Sequence, residues 1–372
     1  MKAILKNIYL NFRKYLLCVV AIFILDKKIP HFVSGLDIRK ILFIRIDRIG
    51  DMVLSTPALK ALKQEFPQCE LVVLASPSNQ PLLAHNPYVD RVIVYGQKNG
   101  LRKKIGSIKQ LRGYGFDLAI DPYPDYELKT ALIAFLSGAR KRIGYASCGR
   151  EVFFNVEAPK MSDNQHFVDL TLGIIALLGI HAAERTPEIF IADDERRWAR
   201  NWLQDRGVRG RSIVGIHPGG YYESQRWLPE RFAEFADRLQ KDKRIIPIIF
   251  GGPGEEVLIE KIRSMASGGF LTSLQENIRR FAALISCCSV FVCNNSGPLH
   301  IAAGMGIPTV SIMGPTNKER WMPVGNIHRV LRIDDLPCIG CNSGYCKIKT
   351  HDCMRLITCS MLLEAVKNIL QL

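Results

Sequence analysis

At 372 residues the chain exceeds one ordinary core and suits two domains, and its 48% hydrophobic and 23% charged residues exclude a largely disordered chain. A net charge of +15 calls for an anionic partner: nucleic acid, an acidic membrane face or a phosphorylated substrate. Neither basic concentration, ten Lys or Arg against three Asp in residues 1–50 or the acid-free cluster Lys98, Arg102, Lys103, Lys104, Lys109 and Arg112, has the interleaved aromatics of a single-strand binder or a DNA-reading motif, which argues against nucleic acid.

Residues 1–36 form a basic and apolar amino-terminal segment. Lys2, Lys6, Arg13 and Lys14 precede the eleven-residue apolar run Tyr15 to Leu25, and Asp26-Lys27-Lys28 closes it. The run falls short of the roughly 20 residues needed to span a bilayer, and no small-residue cleavage site follows it. It reads as a helix lying on the cytoplasmic face of a membrane or, in the alternative, as an extra helix packed on the domain.

The β-branched run Lys40 to Ile46 predicts a strand, Asp47 to Gly50 a polar turn, and Asp51 opens a helix through about Glu65. Further strands are expected at Leu71 to Ala75, Arg91 to Tyr95 and Leu118 to Ile120. After the charged helical stretch Asp193 to Arg206 the pattern restarts: strand Ser212 to Ile216, helix Pro229 to Gln240, strand Ile245 to Phe250, helix Glu255 to Met265, strand Val290 to Cys293. Strands alternating with helices imply parallel βαβ units. The expectation is two Rossmann-like doubly wound lobes, residues 37–200 and 201–372, facing a central cleft, with ligands at the carboxyl ends of the strands.

Three strands of the second lobe end in turns suited to a nucleotide. Val290 to Cys293 runs into Asn294-Asn295-Ser296-Gly297, after which Pro298 begins a helix whose free amides and dipole suit a pyrophosphate, with His300 in its first turn. The other two end in His217-Pro218-Gly219-Gly220 and in Gly251-Gly252-Pro253-Gly254-Glu255. Glycine lets a phosphate approach the backbone, and Glu255 is a natural acceptor for ribose hydroxyls, although a carboxylate at a helix start also stabilises the helix by itself. Neither loop is GxGxxG or GxxxxGK[ST], which disfavours a dinucleotide dehydrogenase and a P-loop NTPase.

Six of the eleven cysteines (Cys18, Cys69, Cys148, Cys287, Cys288, Cys293) are scattered or lie in apolar stretches, which fits a reduced, cytoplasmic chain. The rest crowd the irregular segment 334–353 and the closing helix after it. Cys338, Cys341, Cys346 and Cys353, with His351 and Cys359 nearby, have the compactness of a structural zinc site but lack a second CxxC; packed free thiols are the alternative.

The segment Ile44-Arg45-Ile46-Asp47-Arg48-Ile49-Gly50-Asp51-Met52-Val53-Leu54-Ser55-Thr56-Pro57-Ala58-Leu59 resembles the amino-terminal signature of glycosyltransferase family 9, the ADP-heptose:lipopolysaccharide heptosyltransferases. So do His217-Pro218-Gly219, Arg226-Trp227-Leu228-Pro229-Glu230-Arg231-Phe232, and Asn295-Ser296-Gly297-Pro298-Leu299-His300 followed by Gly314-Pro315-Thr316. The motifs stand in family order from about residue 40 to the carboxy terminus. The resemblance implies a GT-B fold, an acceptor in the first lobe and an ADP-linked heptose in the second, with no cofactor required. One departure leaves other donors open: the family commonly places Lys two residues before this Trp, where this chain has Gln225, so the adjacent Arg226 is the remaining cation for the donor phosphates.

Such a transfer needs a base for the acceptor proton, stabilisation of the departing diphosphate and exclusion of water. Asp51, where a strand's turn meets a helix start, is the candidate base, with Asp47 as competitor; capping alone is the bland reading of its position. The resemblance assigns the family's catalytic Asp to this Gly-Asp position. The donor set is then His217, Gly219, Gly220, Arg226, Glu255, Asn295, Ser296, Gly297 and His300. An anionic lipopolysaccharide inner-core or lipid-linked glycan acceptor at the inner membrane would be met by Arg48, Arg102, Lys103, Lys104, Arg140, Lys141, Arg142 and His166, although a charge run is more often a solvated face. The chain is thus expected to be an inverting glycosyltransferase.

Overall fold

Continuous aliphatic runs become strands because both faces of a parallel sheet are covered by helices and so must be apolar. The computed structural model describes residues 9–17, 38–96, 100–158, 162 and 164–372. Its two compact units are Met1–Arg185 and Thr186–Leu372. Of the amino-terminal segment 1–36 only residues 9–17 are described, and they are helical; residues 1–8 and 18–36 lie outside the described set. No helix among the described residues is long and apolar enough to cross a membrane.

The first unit holds the strands β1 (Lys40–Arg45), β2 (Glu70–Ala75), β3 (Arg91–Val94), β4 (Leu118–Asp121), β5 (Lys141–Tyr145) and β6 (Val156–Ala158). They form one sheet in the order β3-β2-β1-β4-β5-β6. Every pairing is parallel, with Ile41 opposite both Leu71 and Leu118. The order reverses between β1 and β4, the kind of crevice at which open α/β sheets take their ligands. Leu42, Ile44, Val72, Leu74 and Ala119 lie at the centre of a core closed by Leu111, Phe116 and Phe154. Fully burying each large aliphatic side chain contributes about 1.5–3 kcal/mol.

The second unit repeats the plan. Strands β7 (Ser212–His217), β8 (Ile245–Gly251), β9 (Leu271–Leu274), β10 (Val290–Asn294), β11 (Thr309–Ile312) and β12 (Arg329–Leu331) follow in sequence. They pair in parallel in the order β12-β11-β10-β7-β8-β9, the same topology as the first sheet read from its other edge, with the reversal between β7 and β10. Two Rossmann-like doubly wound sheets are therefore present, as the alternation of strands and helices implied. The strands β5, β6, β9, β11 and β12 were not anticipated.

The units divide at Arg185/Thr186, earlier than the expected 200/201, because the helix Asp193–Asp205 is fastened to the second sheet. Glu195 pairs with Arg279 on the helix Ile278–Ile285 at 2.5 Å, Arg279 also donates to the Phe190 carbonyl, and Arg280 lies over the Trp198 ring. The closing helix is present at Cys359–Leu370, with Leu362 and Val366 in the second core.

Candidate functional site

At the carboxyl end of β1 the chain turns through Asp47 and Arg48 into a short helix, Ile49–Val53. Asp51 does not open this helix as expected. It stands at the third position, and its carboxylate accepts from the Arg48 backbone N–H at 3.3 Å, the reciprocal half of a capping box. Ser55 and Thr56 donate to the Asp51 and Val53 carbonyls, which ends this turn and starts a second helix, Thr56–Glu65. Asp51 is only 7% exposed. Burial, and then the neighbouring Asp47 charge, push its carboxyl up to about 7, against the opposing pull of Arg45 and Arg48. A carboxylate that takes and releases a proton near neutrality is suited to general-base work.

The neighbours explain that environment. Asp47 pairs with Arg45 at 2.9 Å, yet Arg45 is fully interior, stacked over the Phe167 ring, with its Nε and one Nη lacking hydrogen-bond partners. Burial also raises Asp47, more than Arg45 lowers it. Across the switch point, Asp121 at the end of β4 pairs with Arg150 at 2.5 Å, both side chains out of solvent. Arg150 also donates to Thr130 and to the Tyr123 and Asp125 carbonyls. This interior charge cluster was missed by the sequence reading. Its one local signal was an Arg in the last position of an aliphatic strand.

The anticipated acceptor residues divide. Arg48 is exposed beside Asp51, and His166 caps the helix Phe167–Ala176, its Nδ1 accepting from the Val168 N–H at 3.2 Å, so this helix start lies against Arg45. Arg102, Lys103 and Lys104 occupy the first turn of the helix Leu101–Gly113, beyond the carboxyl end of β3. Arg140, Lys141 and Arg142 instead stand at the amino end of β5, the pole away from Asp51. Arg142 is buried and its guanidinium is spent on the Ala139 and Phe153 carbonyls, with Phe135 beneath it. It serves the core and is not presented to a solute.

In the second unit the three loops come together at the carboxyl ends of β7, β8 and β10. His217 Nε2 and Glu255 Oε2 are 3.0 Å apart, and the same oxygen accepts from the Gly252 N–H at 2.8 Å. Burial would raise the Glu255 carboxyl; the His217 hydrogen bond and charge, the Gly252 amide and Arg226 overcome it and hold the group below its ordinary value. The other oxygen, Oε1, lies where a side chain at Gly219 would have to go, so only glycine leaves room for it. Arg226 folds back over the same turn and donates to the Gly220 carbonyl at 2.9 Å.

Asn294 proves to be the fastener of this site. Fully buried, it donates to the Pro218 and Gly219 carbonyls at 2.8 and 2.9 Å and accepts from the Trp227 N–H at 3.0 Å. Sequence reasoning placed it in the ligand turn because it stands between a strand end and a helix start. Ser296 is the residue at the cap position of the helix Gly297–Gly304, and its hydroxyl bonds to the Asn294 carbonyl and not to the helix, so no side chain caps the first-turn amides. His300 is buried in that helix with its ring 6.4 Å from Trp321.

The cysteine-rich segment braces these loops. Cys338, Cys341, Cys346 and Cys353 are free thiols, and among the described residues no group of three or more His, Cys, Asp or Glu is arranged to hold a metal ion. Cys353 is pushed up to about 11 by burial and then by its three neighbouring thiols. The segment is held by polar contacts instead: His351 to the Ser224 carbonyl at 2.8 Å, Ser224 to the Ser343 carbonyl, and the Asn342 N–H to the Pro315 carbonyl.

The sequence profile of glycosyltransferase family 9 (heptosyltransferase) matches residues 105–351, which takes in the loops after β7, β8 and β10 though not Asp51. The lipooligosaccharide heptosyltransferase 2 of Haemophilus ducreyi is 26% identical over 354 residues, covering 89% of this chain and 99% of that protein. A glycosyl transferase family 9 structure from Veillonella parvula superposes with a TM-score of 0.81 at 21% identity, covering 91% of this chain and 99% of its own. The E. coli ADP-heptose LPS heptosyltransferase II does so with a TM-score of 0.73 at 22% identity, covering 89% and 98%.

Proposed function

The chain belongs to glycosyltransferase family 9, and from that premise we propose that it moves a heptose from ADP-heptose to an inner-core sugar of lipopolysaccharide at the cytoplasmic face of the inner membrane. The relatives' own names supply donor and acceptor class: the E. coli neighbour is an ADP-heptose LPS enzyme, and the Haemophilus relative acts on lipooligosaccharide. The observation that carries the chemistry is Asp51, a buried carboxyl pushed up to about 7 beside the switch point of the first sheet.

The reaction is a single inverting displacement. Asp51 takes the proton of the acceptor hydroxyl as that oxygen bonds to the anomeric carbon. The bond from that carbon to the β-phosphate oxygen breaks with its electron pair, and ADP departs. Arg48 and the first-turn cations Arg102, Lys103 and Lys104 meet the anionic acceptor. In the second unit the Asn295 to Gly297 amides, His300 and Arg226 take the charge that develops on the diphosphate. Glu255 accepts from the ribose hydroxyls through Oε1, the oxygen that His217 and the Gly252 amide leave unused.

A donor panel tests the reading: ADP-heptose and other sugar nucleotides are incubated with a truncated core acceptor, and the transferred sugar is identified by mass. Heptose transfer from ADP-heptose alone is expected. Transfer of another sugar would favour the second reading, a transferase of the same fold with a different donor. That reading is kept for one reason: Gln225 stands where the family commonly has Lys.

A further inference from the structure

The described part of the amino-terminal segment has two unlike faces. At 100° per residue, Tyr9, Phe12, Tyr15 and Leu16 fall within an arc of about 120°. They are 60%, 66%, 73% and 51% exposed, a concentration of large apolar side chains in solvent. The opposite face is fastened to the first unit. Leu10 is buried, Arg13 donates to the Tyr126 and Cys148 carbonyls at 2.7 Å each, and Lys14 pairs with Glu151 at 3.5 Å. Gly149, at φ +95°, lets the helix seat, because a side chain there would press on Leu17 and on the Lys14 backbone. The helix is therefore held in place, and its aromatic face is what it presents outward.

Its position in the fold gives that face a meaning. Tyr126 lies in the loop after β4 and Cys148 in the loop after β5, so the helix docks at the carboxyl edge of the sheet, the edge on which Asp51 stands. Tyr and Phe on a fixed helix favour the boundary between lipid headgroups and acyl chains. A chain of net charge +15 is drawn to an anionic surface.

We propose that Tyr9, Phe12, Tyr15 and Leu16 form a lipid-docking face that seats the first unit on an anionic bilayer with its Asp51 edge beside the membrane. The identity of the transferred sugar does not enter. That docking favours transfer to a membrane-held acceptor rests on the proposed function.

The test uses the full chain and phosphatidylcholine vesicles with and without phosphatidylglycerol. The wild-type chain is expected to sediment with the anionic vesicles and to be released at high salt, and the Phe12→Asp/Tyr15→Asp double variant to partition about tenfold less. Both should transfer equally to a soluble, deacylated acceptor, while the variant loses rate on the same acceptor in vesicles. A second measurement, quenching of a Phe12→Trp variant by brominated lipid, should place position 12 in the headgroup boundary. Failure of the wild type to bind anionic vesicles, equal partition of the double variant, or a lipid-free dimer that the double variant dissolves would each overturn the docking face. Loss of transfer to the soluble acceptor by the wild type would instead strike the proposed function and leave the docking result standing.

Discussion

Asp51 and Glu255 occupy similar places in two sheets of one topology, each at a helix start beyond the carboxyl end of a strand near the switch point, and their proton affinities move in opposite directions. Burial pushes both up. Asp51 ends near 7 because the largest charge effect on it comes from another carboxylate, Asp47, and its backbone contact is a single long one from Arg48. Glu255 ends below its ordinary value because His217, the Gly252 amide and Arg226 all favour its charged form. Position on the fold made both into candidate site residues; their neighbours decide that burial wins at Asp51 and loses at Glu255.

The strongest way to break this contrast is to remove the proton acceptor. Asp51→Asn should lower transfer by about 10²- to 10⁴-fold while ADP binding, measured by calorimetry, stays as in the wild type. Full transfer by this variant would sink the assignment. The same substitution should stabilise the fold most at pH 8, and progressively less as pH falls toward 4. The folded Asp51 carboxyl sits near 7, above the ordinary 3.8, so its contribution to folding is full below about 4 and is lost as pH rises from there through 7. Thermal melts of both proteins across that range would show it.

Next in size is the fixed charge. Gly219→Ala intrudes on Glu255 Oε1 and should weaken ADP by about tenfold, as should Glu255→Gln, with little further loss on combining them. Fully additive losses would mean that Gly219 and Glu255 act on different parts of the nucleotide.

A subtler test exchanges the neighbour and leaves the base in place. In Asp47→Asn the negative charge beside Asp51 is gone, so the Asp51 carboxyl should fall and the acid limb of kcat/KM should move down by about one pH unit. A loss of rate that is uniform with pH would show that Asp47 supports structure only. Smallest in transfer is Arg142→Ala, which should leave the rate of the folded enzyme unchanged but destabilise it by about 2 kcal/mol, because two interior carbonyls lose their donor. Denaturant midpoints measure that cost; a changed acceptor KM at unchanged stability would return Arg142 to the acceptor site.

Local signals were sufficient where a residue's role depends on its chain neighbours. The aliphatic runs of β1, β2, β7, β8 and β10 named their own strands, and their glycine and asparagine turns marked the loops at the carboxyl ends of β7, β8 and β10 before any tertiary contact was known. The motif from Ile44 to Leu59 marked Asp51. The basic run 140–142 misled for the complementary reason: three cations in a row read as a surface, whereas a strand alternates its faces and turns Arg142 inward.

The amino-acid sequence by itself therefore determined the two parallel sheets, the loops at their carboxyl ends and the candidate base, because strand periodicity, helix starts and turn chemistry act over a few residues. Only the tertiary structure decided that Asn294 fastens the turn after β7, that Arg45 and Arg150 build an interior charge cluster, and that Asp51 and Glu255 differ in proton affinity. Each of those depends on groups many residues apart in the chain, and desolvation and charge are set by which of them fold together.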